Sequence, residues 1–365
     1  MSVVPYFISF TILGVVWLGL EFRGAWLLLA PAYIFAALPL VDALGGHDTE
    51  NPPELDPKVN RDLWRDLPLW LWGFAQVGAT AYGLTRVAQG GYSPLEFLGM
   101  SFSIGLIGAG GGINVAHELM HRRGKAERAV AEIMLTSVSY THFCVEHVLG
   151  HHRRVATPED PASADLGDQA YVFAFKSMFG GVISAWELEG ARVQRRDAGF
   201  MHLGDRRVRH PLMIATAYGI AFAMAGSIGV LFFAAQSLTA VFLLEVINYV
   251  EHYGLRRKPT SKGNYERVQP HHSWNACQRI TNWFLYNLQR HSDHHYLARR
   301  PYWQLRHYED VPQLPFGYAT AIVVALIPPL WWRIMDPRVE AIRSSFESNR
   351  PDPSPPEPGT IRDAA

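Results

Sequence analysis

Apolar runs of bilayer-spanning length recur along this chain, and nothing else in the sequence restricts its fold as much. A spanning helix needs about 20 predominantly apolar residues. Runs near 4–20 and 25–44 are separated only by Glu21-Phe22-Arg23-Gly24, which fits a tight turn between two spans. A polar loop follows over 47–66, containing Asn51-Pro52-Pro53. Spans at about 67–88 and 95–116 are joined by the turn-forming Gln89-Gly90-Gly91-Tyr92-Ser93-Pro94. The second of these holds Gly108-Ala109-Gly110-Gly111-Gly112, whose small side chains permit close helix approach. After a long polar segment, 117–210, the runs 211–233 and 236–252 read as a helical hairpin.

Six spans put both chain ends on one side. The polar segment with its thirteen Lys and Arg falls there too, as do Lys58, Arg61, Arg65 and Arg256-Arg257-Lys258. Only Arg23 and Arg86 fall opposite, so the excess of basic residues in cytoplasmic loops places the polar segment in the cytoplasm. A seventh apolar run, 316–332, has arginines on both flanks and Pro328-Pro329 inside it. It reads as an interfacial segment whose helix the prolines break. Residues 1–343 then form one membrane-embedded domain, and 344–365 a Pro-rich disordered tail. The absence of a basic n-region leads us to expect the first run to be retained.

Composition excludes several classes. A formal net charge of zero argues against a nucleic-acid partner. The two cysteines, Cys144 and Cys277, form no C-x-x-C pair and so make no disulfide framework, zinc module or fused iron–sulfur domain.

The chemistry lies in the histidines. Leu288-Gln289-Arg290-His291-Ser292-Asp293-His294-His295 puts three imidazoles on one helical turn. His117 and His121 stand at i and i+4 where the fourth span ends, His147, His151 and His152 repeat that spacing, and His252 closes the sixth span. All nine fall at the same membrane edge. Nine are too many for one ion, so two metals are the economical reading, and imidazole alone does not name the element. Glu118, Glu146, Glu251 and Asp293 are candidates to accept the second ring N–H of a ligand. His47, His142, His202, His210 and His307 read as ordinary polar or cap residues, as does the pair His271-His272. The stretch His117-Glu118-Leu119-Met120-His121 also satisfies H-E-x-x-H, the zinc protease signature, but a protease leaves six of the nine histidines without a role. A metal transporter would carry ionisable groups mid-span; here Glu245 stands nearly alone.

The three histidine groups resemble the boxes of the integral-membrane di-iron desaturase and hydroxylase superfamily. More narrowly, 288–295 and 248–255 resemble signatures of bacterial membrane-bound alkane monooxygenases and the related xylene monooxygenases, as do Ala156-Thr157-Pro158-Glu159-Asp160-Pro161-Ala162 and His272-Ser273-Trp274-Asn275. Arg122 and Tyr296-Leu297-Ala298 depart from the usual pattern without touching a ligand position. The resemblance implies an all-α integral membrane protein of six transmembrane helices with a cytoplasmic histidine-rich di-iron cap, in a bacterial inner membrane with both termini cytoplasmic. It further implies an alkane 1-monooxygenase: two non-haem irons, O2 as co-substrate, and terminal hydroxylation of medium- or long-chain n-alkanes to primary alcohols. Electrons would come from NAD(P)H through rubredoxin reductase and rubredoxin, and Arg122, Arg123, Arg153 and Arg154 would dock that acidic donor. A xylene-type monooxygenase or a fatty acyl hydroxylase or desaturase on the same site is the alternative.

Overall fold

A computed structural model describes residues 2–53, 62–195, 202–261 and 263–348. The expectations for Lys58, Arg61 and the chain from 349 onward lie outside these residues. Every named element among the described residues is helical; β pairing is limited to isolated bridges such as His47 with Gln278.

Among the described residues four helices are long and apolar enough to cross a membrane: α1 (Val4–Phe22), α2 (Gly24–Gly45), and the two that become α4 (Pro94–Met120) and α7 (Arg206–His252). Between them come α3 (Leu63–Ala88), α5 (Lys125–Thr136) and α6 (Ala170–Gln194). At 26 residues, or about 39 Å, α3 also has the length to cross.

α7 is two helices folded back to back. Gly226 has φ 62° and ψ −152°, and the rings of Tyr218 and Phe233 lie 4.9 Å apart. In a straight helix that separation would be about 22 Å. The reversal therefore falls at Gly226, not at the 234–235 boundary expected from the sequence, because glycine enters the positive-φ region freely. Gly229 lets the legs close: a Cβ there would lie 2.3 Å from the Ala221 carbonyl oxygen.

The α1–α2 and α3–α4 turns are tied together at one end of the bundle. Ser93 and Glu96 form a capping box on α4, and Glu96 also accepts the Gly24 N–H at 3.0 Å. Arg23 donates to the Gly90 and Gly91 carbonyls, both at 3.0 Å. At the other end α7 finishes on His252, and α4 finishes one residue before His121. There Asp42 of α2 caps α8 (Arg279–Phe284), accepting the N–H groups of Ile280 and Thr281 at 2.8 and 2.9 Å. Next comes α9 (His291–Tyr296), the short helix of the last histidine cluster.

One element is additional to the sequence reading, and the helix break expected from Pro328-Pro329 is present just before them. The polar segment 117–210 contains α6, whose Tyr171, Val172, Phe175, Phe179, Val182, Ile183 and Trp186 form an exposed apolar stripe at helical spacing. Water penalises such a face by about 25 cal/mol per Å2, and acyl chains do not. The 316–332 run becomes α10 (Tyr318–Ala325) and the start of α11 (Pro328–Ser348), bent by 118° at the break. The prolines open α11, where their missing N–H costs nothing. Residues 344–348, expected in the tail, are the end of α11.

Candidate metal centre

Glycine sets the approach of the first two histidines. Over Gly108–Ile113 α4 opens into a π turn. A Cβ on Gly111 would sit 2.2 Å from the Trp72 ring, and one on Gly112 would sit 2.6 Å from Gln76 Oε1. Without side chains there, α4 presses onto α3. Asn114, His117 and His121 then follow on one helix face, at i, i+3 and i+7.

All nine histidines singled out from the sequence converge, in two sets. His117, His121, His147, His152 and His294 form one; His151, His252, His291 and His295 form the other. Within each set the ligand atoms lie within 4.8 Å of one another. The division cuts across the sequence clusters. Residues 146–151 form a second π turn, so His147 meets His152 (Nε2 to Nε2, 2.9 Å) while His151 turns to the other set. On α9, His294 meets His117 at 2.8 Å, and His291 and His295 join His252 and His151.

These contacts fit metal ligands better than hydrogen bonds. Nε2 of His252, His291, His295 and His151 form a run at 3.2, 2.9 and 3.2 Å. An imidazole nitrogen that carries a proton has no lone pair left to accept with. Three consecutive contacts therefore cannot all be hydrogen bonds. Nitrogens each about 2.1 Å from one ion, at right angles to each other, stand about 3.0 Å apart, which is this spacing. Burial, then neighbouring imidazoles, hold His147, His152, His291, His294 and His295 well below the usual histidine pKa, and push His121 down to about 3. They are neutral, the form that binds a metal.

His151 is the exception. Burial works to depress it, but Asp160 carries it above the usual value, accepting from Nδ1 at 2.9 Å. Asp160 was missed as a site residue; it lies in the quoted 156–162 stretch, at no helical spacing from His151. Of the acids that were singled out, Glu251 lies 3.3 Å from His291 Nε2. Glu118 pairs with Arg122 at 2.6 Å, Glu146 with Arg154 at 2.8 Å, and Asp293 with Arg300 at 2.7 Å and the Tyr308 hydroxyl. Glu118 is thus turned to an arginine, which disfavours its use as the general base of a zinc protease. Glu266, His271 and His272 make a third ligand-rich group, but His272 accepts the Gln269 N–H and its Nε2 lies 3.2 Å from Glu266.

An apolar cavity of about 100 Å3 ends on His117 of the first set. Ile34, Phe35 and Leu38 of α2, Leu106 and Ala109 of α4, Leu243 and Ile247 of α7, and Phe284 of α8 line it, with Asn114 and His117 at the metal end. A larger cavity of about 390 Å3, between α6 and the first leg of α7, has no clustered histidine in its wall.

Helices that deliver nine histidines, seven of them buried, to one end of an apolar bundle define a histidine-box membrane protein. A family model described as fatty acid desaturase matches residues 92–325, and the chain belongs to that family. It is 40% identical to alkane 1-monooxygenase 2 of Alcanivorax borkumensis, covering 88% of this chain and 85% of the relative. It is also 40% identical to alkane 1-monooxygenase 2 of Pseudomonas aeruginosa, covering 90% and 88%. A more distant match, 24% identical over 87% and 84%, is the xylene/toluene monooxygenase hydroxylase component of Pseudomonas putida. Within the desaturase family the chain belongs with the alkane 1-monooxygenases.

Proposed function

We propose that this protein hydroxylates the terminal methyl of medium- or long-chain n-alkanes to primary alcohols, at two irons held by the nine histidines. The observation that carries the reading is the apolar cavity whose wall ends on His117, one of the converging imidazoles. Two irons bound there would supply the O2 chemistry and C–H oxidation that no side chain performs. The chain's own residues do the rest. His117, His121, His147, His152 and His294 would hold one iron, and His151, His252, His291 and His295 the other. Asp160 fixes the tautomer and orientation of His151. The α2, α4 and α7 side chains exclude water from the cavity and align the alkane along α4 with its methyl toward His117. Leu106 lies eleven residues before His117, so this wall is about 16 Å long.

The distribution of basic residues in the sequence supports a cytoplasmic histidine end, where rubredoxin would deliver electrons from NAD(P)H. Arg122 and Arg154 are committed to Glu118 and Glu146, whereas Arg123 and Arg153 are exposed. The docking role therefore falls to Arg123 and Arg153.

The test is octane turnover by detergent-purified, iron-loaded protein with rubredoxin, its reductase and NADH. Formation of 1-octanol supports the reading. Activity on xylene and none on any n-alkane would replace it with the xylene reading.

A further inference from the structure

We infer that Asn114 holds the oxygen end of the product, its side-chain amide donating a hydrogen bond to the hydroxyl of the newly formed primary alcohol. The inference rests on the reading that the apolar cavity takes the alkane.

Asn114 lies in the wall of that cavity, one helical turn before His117 and on the same face of α4. It is only 8% exposed, and its Nδ2 has no hydrogen-bond partner among the described residues. A buried amide donor left unpaired is unfavourable, and folds rarely keep one unless something else satisfies it. Two other polar groups on the wall are engaged: Thr281 donates its hydroxyl to Asp42, and His117 faces His294. The Tyr318 hydroxyl, like the Asn114 amide, has no hydrogen-bond partner among the described residues, but Asn114 is the one that stands a single helical turn from His117. An alkane offers the Asn114 amide nothing. An alcohol oxygen at the metal end of the cavity offers an acceptor. The amide thus discriminates between substrate and product, and it orients an alcohol with its hydroxyl inward. The amide acts on the organic molecule and not on a metal.

The experiment is equilibrium binding of radiolabelled 1-octanol and n-octane to the iron-loaded protein in detergent micelles, anaerobic and without electron donor, so that no turnover occurs. Wild type is compared with Asn114→Leu, which has similar bulk and no donor, and with Asn114→Ser, which keeps a shorter donor. Iron content and thermal unfolding establish that each variant is folded. Asn114→Leu is expected to weaken 1-octanol binding about tenfold while octane binding holds or strengthens, and Asn114→Ser to recover part of the loss. Octane bound normally by all three proteins, with 1-octanol affinity unchanged by the leucine, would overturn the role of Asn114 and leave the alkane reading standing. Failure of wild type to bind octane at all would overturn both.

Discussion

Replacing Asp160 by Asn should weaken one of the two metal sites and spare the other. Asp160 and His151 are 0% and 1% exposed and meet at 2.9 Å, so no water can substitute for either partner. Asparagine keeps the shape and an acceptor oxygen, and it removes only the negative charge. Outer carboxylates on metal-binding histidines typically contribute 10- to 100-fold in metal affinity, or about 1.4–2.7 kcal/mol. That loss should fall on the set containing His151, His252, His291 and His295. The five-histidine set has no hydrogen bond to Asp160 and should keep its affinity. Asp160→Ala should cost about 1–3 kcal/mol more, because it orphans the Nδ1–H as well. The assay is an anaerobic cobalt titration of metal-stripped protein, followed by ligand-field absorption and resolved into two affinity classes. Asp160 also accepts the Ser163 hydroxyl, so thermal unfolding of the metal-free variant provides the control. Equal weakening of both classes, or of neither, would refute the assignment of Asp160 to one site.

Three further outcomes are expected. Gly111→Ala drives a Cβ to 2.2 Å from Trp72 and should destabilise by about 1–3 kcal/mol, whereas Gly110→Ala, with Phe284 at 3.5 Å, should leave the unfolding temperature unchanged or raised. Burial, then His271, pushes His272 down to about 4, so the unfolded chain takes up that proton first as pH falls. Stability should be flat above pH 7 and fall between about 6.5 and 4 by at most about 1.4 kcal/mol per unit; comparing denaturation of wild type and His272→Gln at pH 7.5 and 5 isolates this part. Reversing Arg123 and Arg153 to Glu should raise the KM for rubredoxin at low salt, with iron content unaltered; an unchanged KM would exclude docking there.

The candidate site was legible in the sequence to the extent that its residues are chemically unmistakable. Nine imidazoles, each near the end of an apolar run or a helical turn, have no bland explanation, and all nine converge. Their partition was not legible. It depends on the π turn at 146–151, which moves the partner of His147 from i+4 to i+5, and nothing local in Glu-His-Val-Leu-Gly-His announces a π turn. The acids misled for a related reason: adjacency in sequence put Glu118, Glu146 and Asp293 forward, while arginines drew all three away. Asp160 reaches His151 through a loop whose path no periodicity encodes. In the fold, continuous apolar composition hid the reversal at Gly226. α6 was concealed because Lys176, Glu187 and Glu189 dilute an apolar stripe that is evident only when the residues are placed on a helix.

The most direct test of the central claim is the metal count, by elemental analysis of protein purified from iron-supplemented cells. Wild type should carry about two irons per chain, one for each histidine set. Removing two ligands from either set, by His121→Ala with His152→Ala or by His252→Ala with His291→Ala, should leave about one. A single zinc in wild type, or a pair of substitutions in one set that leaves both irons bound, would contradict the two-site account.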